Sequence, residues 1–258
     1  MAARFVLVHG GFHGAWCWDR TIPELARRGH ESVAIDLPGH GTRKDQRSTL
    51  ADRRDAITEV LRPGDVLVGH SGGGYDVTIA ADAAPHLVSH VIYLAAGLPL
   101  EGRTVLEATG GARSGDGGQV TSLMQDDTGM SAFVRPNASG RMECADYPAT
   151  RDFFYHDCDE ATAAWAFSQL TPAPVEFLTQ PVHLQRFWQA DLPRSYILCR
   201  DDRAKPRSAS LEVIARLGVK ALEIDGSHSP FLSRPARLAE RLIQATATRP
   251  VRPPAPAR

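Results

Sequence analysis

A surplus of charge of either sign is missing from this 258-residue chain: 29 Lys and Arg stand against 30 Asp and Glu, a formal net charge of −1. Such a balance sets up no field that would draw in nucleic acid or an anionic membrane, so the expected partner is a small molecule close to neutral. Cysteine is scarce. Cys17, Cys144, Cys158 and Cys199 are scattered with no C-x-x-C spacing, which argues against a disulfide scaffold and against a structural zinc site. Each reads as a small buried hydrophobe, and a Cys144–Cys158 pair is the one pairing left open. No apolar run approaches the roughly 18 residues of a membrane span. The N-terminus offers no export signal, because Phe5-Val6-Leu7-Val8 is cut short by His9-Gly10-Gly11 before an apolar h-region forms. A cytoplasmic protein is therefore expected. The length suits one domain, or a core with a sizeable insertion, burying roughly 70–75% of the unfolded surface.

What is present begins with alternation. Apolar runs at Phe5–Val8, Ser32–Ile35, Val66–Val68 and Val91–Leu94 read as strands. Helix-like stretches fall at 22–28, 50–61 and 74–84. Strands separated by helices of this length predict βαβ units and a mainly parallel sheet covered on both faces, an α/β fold. The rhythm breaks after Gly97 and resumes with a strand at Tyr196–Leu198, a helix over 209–217, a strand over 220–224 and a last helix from Pro235 to about residue 246. The reading is thus an α/β core over 1–97 and 194–248, interrupted by a helical cap over 98–193. Helical pieces are expected near 103–109, 119–126, 149–155, 159–170 and 181–189. An insertion there would cover the C-terminal ends of the strands, where open α/β sheets place their sites. The glycine-rich stretch Gly110 to Gly118 reads as a mobile cap loop rather than a phosphate cradle, since no strand leads in and no lysine follows. Residues 249–258, rich in proline, read as a disordered tail.

Gly69-His70-Ser71-Gly72-Gly73 follows the third apolar run and precedes a helix. In that strand, turn and helix context a G-x-S-x-G sequence predicts a nucleophile elbow. Acyl transfer through serine needs a base, an acid to orient it and donors for the oxyanion. His228, in the loop after the strand ending at Ile224, is the candidate base. Asp201 and Asp202 both follow the Tyr196–Leu198 strand, and Asp202 is the preferred acid, with the other left to salt-bridge Arg203 or Lys205 or to cap the next turn. The amides of Gly72 and Gly11 are the candidate oxyanion donors. Phe12, His13 and Ser229 are candidate pocket residues. His70 reads as a packed elbow residue, and His40 as a holder of local structure. His156-Asp157-Cys158-Asp159-Glu160 has metal-ligand composition, but an acid ahead of an alanine-rich stretch serves equally well as a helix cap. The aromatics Phe153, Phe154, Tyr155, Trp165, Phe167, Phe187 and Trp188 supply a cap core, with one or two left to line an apolar pocket.

Phe5 through Trp16, with its His9-Gly10-Gly11-Phe12-His13-Gly14 loop, then Asp36-Leu37-Pro38-Gly39-His40-Gly41, the Ser71 elbow, Tyr196 through Arg203 and Gly226 through Leu232 together resemble the α/β-hydrolase superfamily. The branch most resembled holds hydroxynitrile lyases, methyl salicylate-type esterases and their bacterial relatives. The resemblance covers the core segments and leaves the cap weakly constrained. It implies Ser71, Asp202 and His228 as the triad, Gly11 and Gly72 as the oxyanion hole, and no cofactor or metal. Lyases of this branch have a threonine at the position of Gly10 and a lysine directly after the histidine; here those positions hold Gly10 and Ser229. Without that ammonium the lyase reading loses its electrostatic element. In the esterase pattern Ser229 simply replaces an apolar pocket residue. The expected function is a serine esterase acting through an acyl-enzyme on a small to medium, largely apolar carboxylic ester. A biosynthetic thioesterase, lactonase or cyclase, a hydroxynitrile lyase and a non-catalytic ligand-binding scaffold are the alternatives. The partner is then an ester or thioester, with no nucleic acid and no membrane.

Overall fold

A computed structural model describes residues 2–109 and 129–247. The first half of the chain runs β1 (Arg4–Val8), α1 (Thr21–Arg27), β2 (Glu31–Ile35), α2 (Leu50–Thr58), β3 (Asp65–His70), α3 (Gly73–Ala83) and β4 (Val88–Leu94). A one-turn α4 (Val105–Ala108), a small hairpin of β5 (Val134–Pro136) and β6 (Met142–Cys144), α5 (Tyr147–Phe154) and α6 (Glu160–Gln169) follow. The chain closes with β7 (Arg194–Cys199), α7 (Arg207–Leu217), β8 (Ala221–Ile224), α8 (Pro230–Ser233) and α9 (Pro235–Ala247).

The main sheet has six strands in the order β2-β1-β3-β4-β7-β8, and each neighbouring pair is parallel. Its strands are apolar on both faces because both faces are covered. Period-two alternation sends Phe5, Leu7, Val66, Val68, Ile92 and Leu94 into one core. Val6, Val8, Leu67, Val91, Tyr93 and Leu198 go into the other. The chain steps outward from β1 to β2, then returns to place β3 on the other side of β1. This reversal makes the C-terminal ends of β1 and β3 the crevice where such sheets bind ligands. The expected α/β-hydrolase type of sheet is thus present.

The β4–β7 connection departs from an all-helical reading. The expected helices at 149–155 and 159–170 are α5 and α6, started by Asp146 and Asp159, whose side chains accept from Ala149 N and Thr162 N at 2.8 and 2.7 Å. The expected piece at 103–109 shrinks to α4. The stretch 181–189 is not helical. Val182, Leu184 and Phe187 are buried there, and their segment's amides go to tertiary partners: Val182 N donates to Arg103 O, Leu184 N to Glu101, and Arg186 N and Phe187 N to Asp82. Acceptors elsewhere in the chain replaced the i→i−4 ladder. The β5–β6 hairpin was not expected; its strands have three residues each and one ends in Pro136, too little for a pattern to register. The expected piece at 119–126, the glycine-rich stretch 110–118 and the 249–258 tail lie outside the described residues. Cys144 and Cys158 are free thiols, so the pair left open does not form. Among the described residues no helix is long and apolar enough to cross a membrane.

Candidate active site

Ser71 stands between β3 and α3 with φ of 51°, a left-handed backbone that costs a non-glycine residue roughly 1–2 kcal/mol. The surroundings hold it there. Ser71 N donates to Leu94 O at 3.1 Å, and Ser71 O accepts from Gly74 N at 3.1 Å and Gly97 N at 2.9 Å. Gly69 permits the close approach of strand and helix, since a Cβ on it would lie 2.6 Å from Gly73 O and from Val77 Cγ2. The Ser71 hydroxyl forms no hydrogen bond among the described residues and opens onto a cavity of about 520 Å³.

His228 borders the same cavity, delivered by the loop after β8. Its Nδ1 lies 2.8 Å from Asp202 Oδ2, with both side chains buried. A carboxylate only accepts, so Nδ1 carries the proton and Nε2 is left as the acceptor. Asp202 is itself fixed: its Oδ1 accepts from Ala204 N at 2.8 Å and Lys205 N at 2.9 Å. Asp201 does not reach the histidine. Its Oδ2 takes Gly226 N at 3.2 Å, bracing the loop that carries His228. The expected Asp201 pairing with Arg203 or Lys205 is absent, and Arg203 pairs with Asp152 instead.

Gly11 and Gly72 lie side by side on the cavity wall, where a Cβ built on Gly72 would lie 3.7 Å from Gly11 N, and neither amide donates to a described residue. Two histidines set this geometry. His9 Nδ1 donates to Gly10 O at 2.8 Å while its Nε2 accepts from Leu37 N at 3.1 Å. A trans peptide points its C=O and N–H in opposite directions, so holding Gly10 O aims the Gly11 N–H. His13 Nδ1 donates to Gly11 O at 2.8 Å and its Nε2 accepts from the Tyr155 hydroxyl at 2.7 Å. Burial keeps both rings neutral, pushing His9 down to about 4 and His13 to about 3. Phe12, next in the loop, is held at φ of 66° with its carbonyl accepting from Thr171 N at 2.9 Å. Sequence reasoning missed Tyr155 and Thr171 as loop braces; their partners lie over a hundred positions away, and no spacing signals them.

Phe12 and His13 line the cavity. Ser229 does not. With Pro230 opening α8 immediately after it, Ser229 is fully buried, its Oγ without a partner among the described residues. His70 is the packed elbow residue anticipated, its Nε2 donating to His228 O at 2.9 Å. Of the singled-out aromatics, Phe153 and Phe154 reach the cavity. Trp165 instead stands edge-on to Trp16, while Phe187 and Trp188 take the Arg194 guanidinium. Asp159 caps α6, and among the described residues no three His, Cys, Asp or Glu side chains are grouped to hold a metal ion.

Sequence reasoning also missed a charged part of the wall. Arg53 on α2 makes a two-toothed pair with Asp76 on α3, both contacts 2.7 Å and both side chains buried, with the guanidinium over the Phe177 ring. Arg53 and Phe177 border the cavity, as do Lys205, Glu212 and Arg216. Most of the remaining wall is apolar, including Val105, Val134 and Met142.

Three kinds of likeness accompany this geometry. The sequence profile of the Alpha/beta hydrolase family matches residues 5–241. Methylesterase 9 of Arabidopsis thaliana is 30% identical over 93% of this chain and 96% of its own length. Norfluorocurarine synthase 2 of a Strychnos species is also 30% identical, over 94% of both chains. The crystal structure of a pyrethroid hydrolase from Sphingobium faniae superposes with a TM-score of 0.77 at 24% identity, covering 96% of this chain and 98% of that one.

Proposed function

Since the chain belongs to the alpha/beta hydrolase family and is an ester hydrolase of that fold, we propose that it cleaves a small to medium, largely apolar carboxylic ester through an acyl-enzyme on Ser71. The observation that carries this reading is the buried 2.8 Å contact of His228 Nδ1 with Asp202, beside a serine that opens on the same cavity. In this mechanism Ser71 Oγ attacks the acyl carbon while His228 Nε2 takes the hydroxyl proton. Asp202 holds the tautomer and stabilises the imidazolium, and the Gly11 and Gly72 amides donate to the oxyanion. Collapse breaks the ester C–O bond, and His228 returns the proton to the departing alkoxide. Water then attacks the acyl-enzyme, giving its proton to His228; collapse breaks the bond from the acyl carbon to Ser71 Oγ, which takes that proton back as the acid leaves. The described parts of the insertion between β4 and β7 serve as the cap that completes the cavity. A relative named as a methylesterase makes methyl esters the natural first substrates.

A hydroxynitrile lyase is the poorer reading. A Cβ at Gly10 would lie 2.7 Å from Ser71 Cβ, which leaves no room for the threonine of the lyases, and Ser229 supplies no ammonium. The test is turnover of p-nitrophenyl acetate and butyrate by wild type and Ser71→Ala, with intact mass after a fluorophosphonate. Turnover lost in the variant, and one phosphonyl adduct that the variant cannot form, are expected. Folded protein with no labelling and no Ser71-dependent turnover would overturn the reading.

A further inference from the structure

The acyl transfer above has no task for Lys205, yet this residue stands on the cavity wall three positions after the acid. Its backbone N–H donates to Asp202 Oδ1 at 2.9 Å, which ties the main chain to the acid, while its half-buried side chain borders the cavity. The other cations there have fixed acceptors. Arg53 is held by Asp76, and Arg216 donates to the carbonyls of Leu98 and Pro99. The Lys205 ammonium forms no hydrogen bond and no ion pair among the described residues. Ala209, Glu212, Val213 and Arg216 recur at i, i+3, i+4 and i+7 and so present one face of α7 to the cavity. Glu212 is the one carboxylate that lines the cavity among the described residues. It attracts Lys205 and Arg216 from a distance without pairing with either, and the Asp202 carboxylate, already held by His228, attracts Lys205 as well. On a largely apolar wall an ammonium with no hydrogen-bond partner disfavours a wholly neutral occupant, which would strip water from it and return nothing.

We propose that Lys205 is a specificity-determining residue whose ammonium receives a carboxylate on the acyl part of the substrate, so that the preferred substrates are half-esters of dicarboxylic acids. The acyl part is the favoured carrier because it stays covalently bound through both half-reactions, whereas the alcohol leaves after the first. An anchor on it orients acylation and deacylation alike. The apolar walls still take the connecting methylenes, so the inference narrows the substrate class of the ester hydrolase reading and rests on it.

The test compares kcat/KM for monomethyl glutarate and methyl pentanoate, which share an acyl length and differ in the terminal carboxylate, using wild type, Lys205→Met and Lys205→Arg. Wild type should favour the half-ester. Lys205→Met should lower the ratio of half-ester to neutral ester by about tenfold or more, and Lys205→Arg should restore most of it. A ratio that Lys205→Met leaves unchanged would overturn the proposal. A second arm needs no turnover: calorimetric binding of glutarate and of pentanoate to Ser71→Ala and to Ser71→Ala/Lys205→Met. Selective glutarate binding that the lysine substitution abolishes supports the site, and equal binding by the two proteins sinks it. Failure of the ester hydrolase reading is separately visible, as absent turnover of both esters together with no fluorophosphonate labelling.

Discussion

Asp201 and Asp202 are adjacent carboxylates with different duties, and the difference is measurable. Asp202 is locked between two backbone amides and the His228 ring; Asp201 takes a single amide at the base of the histidine loop. Asp202→Asn should leave His228 in the wrong tautomer and lower kcat on the order of 10³–10⁴-fold. Asp201→Asn keeps an oxygen for Gly226 N and should cost less than about tenfold. Comparable losses in steady-state assays of the two variants would mean that the acid had been assigned to the wrong residue.

At the level of elements, α2 and α3 are joined by a buried ion pair rather than by apolar packing alone. Asp76 sits one turn into the helix that Ser71 introduces, and its partner Arg53 carries the Phe177 ring against the cavity. Removing one member leaves the other charged, buried and alone, so Asp76→Ala should lower stability by about 3–5 kcal/mol. Arg53→Met/Asp76→Ala should recover much of that loss, as read from urea denaturation midpoints. This pair also marks where reading the chain alone runs out. The parallel sheet and the strand, turn and helix around Ser71 are readable, because each rests on a local pattern: an apolar run or a glycine pair. Arg53 and Asp76 lie on two different helices, and nothing in either helix announces the other. The 181–189 segment misled for a related reason. Its apolar residues suit a helix, but Asp82 and Glu101 take its amides first.

For the whole molecule, buried histidine governs acid stability. Burial pushes His9 and His90 down to about 4 and His13 to about 3, and holds His40 and His70 well below their ordinary value. The unfolded chain protonates all five near pH 6.5 while the folded one does not, so stability is complete above that pH and is lost as the pH falls. Each proton that the unfolded chain binds and the folded one refuses costs up to about 1.4 kcal/mol per pH unit below that value, against a typical total of about 5–15 kcal/mol. Cooperative unfolding between about pH 6 and 4.5 is expected by circular dichroism, and a fold intact at about pH 4 would contradict this account. The pairing of β4 with β7, Val91 opposite Arg194, carries a consequence for synthesis. A ribosome adding roughly 5–20 residues per second must traverse about a hundred positions between the two strands. Until β7 emerges, β4 is an unguarded edge open to other nascent chains. Ser71 is made early, while Asp202 and His228 arrive with the last strands, so under the proposed mechanism an interrupted translation product holds a nucleophile with no means of activating it.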